Sequence, residues 1–161
     1  MAATFAWKES NTVSETVTTM TNCNLGSADV PNLNVDAHPV VRGTNSFEKY
    51  IRGLFTGTWT VISNVKFWKS VGTLLTGETI KAAGNVSFVT PTETANGDSD
   101  IPTSVGTAIA LNSAEGNATI VHGATGVSGY TGYVRLQKQT TGSTPTGNVN
   151  QKTLKMQYDE V

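Results

Sequence analysis

Residues 47–70, FEKYIRGLFTGTWTVISNVKFWKS, decide the fold class. Within them, residues 54–63 set Phe55, Trp59 and Val61 on one face and Thr56, Thr58 and Thr60 on the other. Apolar and polar side chains alternating with a period of two mark a strand with one buried face. Gly57 inside that run reads as a bulge. After Asn64, residues 65–69 read as another short strand, with the adjacent Phe67 and Trp68 on opposite faces. One of these two rings must therefore pack beneath a loop or stand exposed as a contact anchor. Just upstream, residues 46–52 are the best helical stretch of the chain, a single turn running into Gly53.

Outward from this stretch the same period recurs. Strands are expected at residues 4–9, 12–21, 79–83, 86–90, 107–111, 118–122, 130–138 and 149–158, separated by Gly, Asn, Thr and Pro clusters. Many short strands between such turn signals specify an all-β domain, a β-sandwich of jelly-roll-like type. Residues 1–161 are expected to form one β-rich domain, a length sufficient for a hydrophobic core. Three connections, residues 22–38, 91–106 and 140–147, lack periodicity. Connections this long are either functional, as arms that order on a partner, or plain surface loops.

Composition narrows the function classes. Charged residues make up 14% of the chain, and threonine supplies about one residue in six. Threonine sits well on a pleated sheet and makes neutral hydrogen bonds. With 11 Lys and Arg against 12 Asp and Glu and no basic run, the chain has no excess of charge to hold a phosphate backbone, so no nucleic-acid partner is expected. The longest apolar run, residues 108–111, falls far short of the ~20 residues a membrane helix needs. The opening MAATFAWKESN has no basic segment followed by an apolar one and reads as lacking a secretory signal. Cys23 is the lone cysteine, which fits synthesis in a reducing cytoplasm.

Catalytic vocabulary is sparse. His38 and His122 stand at a loop end and a strand end with no partner motif, and no GxSxG, HExxH, CxxC or P-loop occurs. Residues 96–100 (NGDSD) space oxygen ligands like a calcium loop, but the positions requiring Gly and Glu hold Ile101 and Thr107. Glycosidase carboxylates would have to come from Glu78, Glu93, Asp98 and Glu115, with nothing to select a pair. No catalytic, cofactor-binding or metal-binding residue is assigned, and the chain is expected not to be an enzyme. Trp7, Trp59, Trp68 and the tyrosines could stack on sugars, although Trp59 shares its face with core residues. The sequons at Asn85 and Asn117 match as chance would produce in a threonine-rich chain.

Residues 45–52 (NSFEKYIR), 55–58 (FTGT) and 62–68 (ISNVKFW), with 147–153 (GNVNQKT) and 157–160 (QYDE) near the end, resemble small virion structural proteins of tailed bacteriophages. Within that group the likeness is to capsid decoration, or cement, proteins. It falls in separate patches and carries no functional residues across. The resemblance implies a β-rich, non-enzymatic protein seated on the capsid exterior of the virion and made in the host cytoplasm. Its partners would be the major capsid protein and copies of itself, as a homotrimer or dimer with the trimer preferred. Other virion positions (tail, neck or head fibre) share the same features. A carbohydrate-binding β-sandwich using Trp68 is the reading from a different class.

Overall fold

The structure, a computed structural model, describes residues 3–111, 120–121, 129–147 and 150–161. Among these the chain forms strands and no helix. The strands are β1 (Ala3–Asn11), β2 (Thr16–Thr19), β3 (Lys49–Gly57), β4 (Ile62–Val71), β5 (Glu78–Asn85), β6 (Ser99–Asp100), β7 (Ile109–Ala110), β8 (Ile120–Val121), β9 (Gly129–Tyr130), β10 (Tyr133–Thr140) and β11 (Thr153–Glu160). The larger sheet runs β2-β1-β3-β10-β5-β6, with β9 also on β3. The smaller runs β11-β4-β7, with β8 also on β4. Every strand pair is antiparallel. The protein is all-β, with two sheets in a sandwich-like arrangement.

Aromatic side chains join the sheets. The β1–β3 register puts Phe5 opposite Phe55 and Trp7 opposite Gly53, so one face of this pair is continuously apolar. Phe55 is fully buried, its ring centroid 5.3 Å from Phe5 and 4.7 Å from Tyr158 of the smaller sheet. Trp7 meets Phe67 of β4 edge-on at 6.2 Å. Such edge-to-face pairs each contribute about 0.5–1.5 kcal/mol beyond the area they bury. Ile51, Val134, Leu136, Ile80 and Ala82 extend the floor of this core, and Ile62, Val65 and Leu111 belong to its other side.

Several sequence expectations change in the folded chain. Residues 46–52 contain no helical turn, because Lys49 to Gly57 pairs along its length with β1 and is the central strand β3. The expected strand 54–63 breaks after Gly57 (φ 100°), a conformation available to glycine at little cost. The chain then crosses between sheets, and Trp59 sits in that connection yet remains buried at 5% exposure. Residues 12–21 form the β1–β2 hairpin turn and only the short β2, since Thr12 and Glu15 have positive φ. Residues 86–90 pair with nothing among the described residues and instead place Phe88 edge-on to Tyr50 at 5.1 Å. Residues 107–111 contribute only β7. Residues 130–138 divide at Thr131 and Gly132 into β9 and β10. Of residues 118–122 only β8 is described, and in 149–158 the described strand is β11.

The long connections lie against the body. In residues 22–38, the Ser27 N–H donates to the His38 carbonyl (3.1 Å), the Asn24 side-chain amide to the Leu33 carbonyl (2.9 Å), and Leu33 is 1% exposed. In residues 140–147, the Thr141 N–H donates to the Gly77 carbonyl at 3.0 Å.

Gly53 leaves no room for a side chain between its own sheet and the smaller one. A Cβ there would lie 2.6 Å from the Phe5 ring and 3.1 Å from the Met156 sulfur. Gly53→Ala is therefore expected to destabilise the protein by about 1–3 kcal/mol through overpacking. Urea denaturation checks this, and an unchanged midpoint would contradict the packing described.

Candidate functional site

The outer face of the larger sheet carries the densest group of polar side chains. Alternation along β3 and β10 turns Tyr50, Arg52, Tyr133, Arg135 and Gln137 outward, away from Ile51, Val134 and Leu136. Residues 86–98 lie across this face and are tied down. The Arg135 guanidinium donates twice to the Asp98 carboxylate (2.9 and 2.6 Å), a bidentate pair. Its hydrogen bond to Asp98 raises the Arg135 pKa, so it stays charged. Gln137 donates to the carbonyls of Ser46 (3.1 Å) and Thr94 (2.9 Å) and accepts from the Asn96 N–H (3.0 Å).

A second group holds the β1–β2 hairpin. Glu15 Oε1 accepts from the Tyr133 hydroxyl (2.6 Å), the Ser10 hydroxyl (2.8 Å) and Arg52 (3.3 Å). The Arg52 guanidinium lies 4.0 Å from the Tyr130 ring centroid and 4.4 Å from that of Tyr133, a cation–π sandwich. Burial, with the hydrogen bond to Glu15, pushes the Tyr133 pKa up to about 12. At neutral pH this tyrosine keeps its proton and cannot act as a base. The Tyr50 hydroxyl is buried with no hydrogen-bond partner among the described residues. Its pKa is raised by burial, against the opposing effect of Arg135. This face is built to strap chain segments together.

The inner face ends in charges. Glu9 and Lys49 continue the apolar faces of β1 and β3 and are 0% and 5% exposed as side chains, forming a buried ion pair. The second Glu9 oxygen accepts the Asn32 N–H at 2.6 Å, which fixes the connection after β2. Nearby, Cys23 is partly buried against the core, and desolvation pushes its pKa up to about 12, leaving an unreactive thiol at neutral pH. Across β10 on the β5 side, toward the same end of the strands, Glu78 receives both Lys152 (2.9 Å) and Lys138 (3.9 Å). Burial lowers the Lys138 pKa, partly countered by Glu78.

Residues singled out in the sequence are scattered. His38 serves through its backbone, donating to the Asn34 carbonyl at 3.1 Å. Asp98 and Asp100 are bound to Arg135 and Lys81. Glu78 is held by lysines, and Glu93 borders an open depression with Thr44, Asn45 and Thr94. His122, Glu115 and Asn117 lie outside the described residues. Among the described residues no three His, Cys, Asp or Glu side chains gather in metal-holding geometry. Of the sequence-flagged carboxylates that are described, Glu78, Glu93 and Asp98 each sit with different neighbours. What sequence reasoning missed is the ionic framework. Its one visible signal is that Glu9 and Lys49 stand where the period-two pattern calls for apolar residues.

The solvent face of the smaller sheet is different in character. Phe67 is fully buried, and Trp68 on the opposite face is half-buried, directly across from Lys155, with Lys66 across from Gln157 beside them. Trp68 is thus the partly exposed ring of the adjacent pair. The exposed large apolar side chains among the described residues are valines, among them Val13 (79%), Val41 (63%), Val71 (60%) and Val89 (56%). In comparisons with protein-family models, curated proteins and solved structures, the chain matches none.

Removing one member of the Glu9–Lys49 pair strands a buried charge, a loss of about 3–5 kcal/mol. Lys49→Met and Glu9→Gln are each expected to lower the thermal midpoint sharply, and the double variant to recover most of the loss. Calorimetry of the three variants checks this, and additive losses would show that the two groups are not coupled.

Proposed function

We propose that the protein is a virion structural protein that works by adhesion, as a decoration (cement) protein on the outside of a tailed-bacteriophage head. The likeness of residues 45–68 and 147–160 to such proteins carries the reading. The disposition of charge supports it. Lys49, Arg52, Lys81, Arg135, Lys138 and Lys152, six of the 11 basic residues, are engaged in intramolecular ion pairs. The surface left over is rich in Thr, Ser, Asn and exposed valine, and it does not repel its neighbours. Such a surface suits many weak, repeated contacts on a lattice, where multivalency supplies the strength that no single site has. The major capsid protein and further copies of this chain are the partners in this reading. Purified protein added to undecorated heads is expected to bind and to raise their disruption temperature. Heads that neither bind it nor gain stability would remove the proposal. A place in the tail, neck or head fibre would show instead as density there in a particle map.

Trp68 favours a second reading, glycan binding. An aromatic ring on a solvent-facing sheet between Lys66 and Lys155 offers a stacking platform for a sugar. A glycan array with signals that vanish on Trp68→Ala would support this reading, and a blank array would dismiss it.

A further inference from the structure

The edge strand β11 has an organisation that the adhesive reading above does not use. It pairs with β4 on one side and with nothing on the other among the described residues. Both register irregularities in that pairing lie on β4. Between Gln157↔Lys66 and Asp159↔Ser63, β4 advances by one residue more than β11, at Asn64 with φ 51°. A similar extra residue falls between Val71 and Lys69. Strand β11 itself is therefore unbulged, and edge strands of this kind are ready templates for further pairing.

The direction of its backbone groups follows from one reciprocal pair. Val61 and Val161 exchange both N–H···O bonds, at 3.0 and 2.9 Å, so Val161 turns its backbone toward the β4 side. Regular alternation then turns Asp159, Gln157 and Lys155 the same way. It leaves the N–H and C=O groups of Leu154, Met156, Tyr158 and Glu160 facing outward. The side chains alternate as well. Lys155, Gln157 and Asp159 are exposed, while Leu154, Met156 and Tyr158 pack against the core yet remain partly uncovered. On the same flank Phe5 and Trp7 of β1 are also only partly buried.

We infer that β11 pairs antiparallel with β11 of a second copy of this chain, about a two-fold axis through Gln157. This register makes Met156–Tyr158 and Leu154–Glu160 the hydrogen-bonded pairs, which is what the outward backbone groups require. It makes Lys155–Asp159 a non-hydrogen-bonded pair, the kind whose side chains stand closest, and symmetry supplies it twice. Asp159 has one oxygen engaged by the Asn64 amide (2.6 Å) and a second available to the lysine. Sliding the register by two residues in either direction places Lys155 opposite Gln157 or Val161 and forfeits both ion pairs. On the inner side, Met156 of one copy meets Tyr158 of the other, a favourable sulfur–aromatic contact that covers apolar surface the monomer leaves open. The two smaller sheets become one continuous sheet. A two-fold contact of this kind closes on itself and makes a dimer.

Charge exchange on solvent-facing side chains tests this without touching the core. Sedimentation equilibrium of the isolated protein over a dilution series is expected to show a monomer–dimer equilibrium. Lys155→Asp sets like charges opposite each other twice and is expected to raise the dissociation constant by about tenfold or more. The double variant Lys155→Asp/Asp159→Lys restores opposite charges and is expected to return toward the wild-type constant. Amides of Leu154, Met156, Tyr158 and Glu160 should exchange more slowly as concentration rises. A wild-type protein that is monomeric throughout, or trimeric, overturns the inference, as does a double variant no better than the single one. No capsid enters these measurements, so their result stands apart from head binding.

Discussion

The sandwich depends on the contact of Phe55 with Phe5 and Tyr158. Phe55 lies on the central strand of the larger sheet, Phe5 beside it on the neighbouring strand, and Tyr158 on the edge of the smaller sheet. Two sheets with one apolar face each must bury those faces against each other, and here the ring edges set how they meet. The closeness of that approach explains why a glycine stands at position 53, where Phe5 and Met156 fill the space a side chain would need. It also explains the half-covered flank. The seam is built where β11 ends its sheet and where the first part of β1, before Lys8 meets β2, has no outer neighbour, so its outermost rings have core on one side and little protein on the other.

Polar residues finish what the apolar seam begins. The inner face of the larger sheet continues from apolar residues into charged ones: Glu9, Lys49, Glu78 and Lys138 follow the core positions of their strands. The buried ion pairs at Glu9–Lys49 and around Glu78 satisfy these charges, and each also fastens a connection: Asn32 through Glu9 and Lys152 through Glu78. On the outer face, Arg135–Asp98 and the hydrogen bonds of Gln137 hold a long irregular segment that would otherwise pay full conformational entropy for lying still. A buried charge is costly without its partner, so losing one member of such a pair costs more than the intact pair contributes.

The sequence made the class legible, and with it most strand positions, because period-two alternation survives wherever one face is wet. Trp59 was legible as a core residue from its neighbours Phe55 and Val61, and Phe67/Trp68 as a pair split between inside and outside. The central strand was not. Lys49, Arg52 and Gly53 spoil its alternation, and the reasons for them lie far off in the chain, at Glu9, at Glu15 and Tyr133, and at Met156. The spoiled pattern read as a helical turn. The straps were hidden for the same reason, since a bidentate Arg135–Asp98 pair leaves no local trace. The capsid reading was available only as a likeness of short patches. The edge status of β11 depends on which strands find each other, which alternation does not encode.

The position of β11 in the chain has a consequence for folding. Its partner β4 is made some 90 residues earlier (Leu154 pairs with Lys69, for example), and Met156 and Tyr158 arrive only with it. Before β11 is made, Phe5, Gly53 and Phe55 lack the cover of Met156 and Tyr158, and β4 lacks its partner on that edge. Closing such distant pairings is slow, because the loop entropy must be met before the contacts reward it. Until β11 arrives, the aromatic groove it covers is open, and surface of that kind is what a chaperone or a neighbouring nascent copy binds.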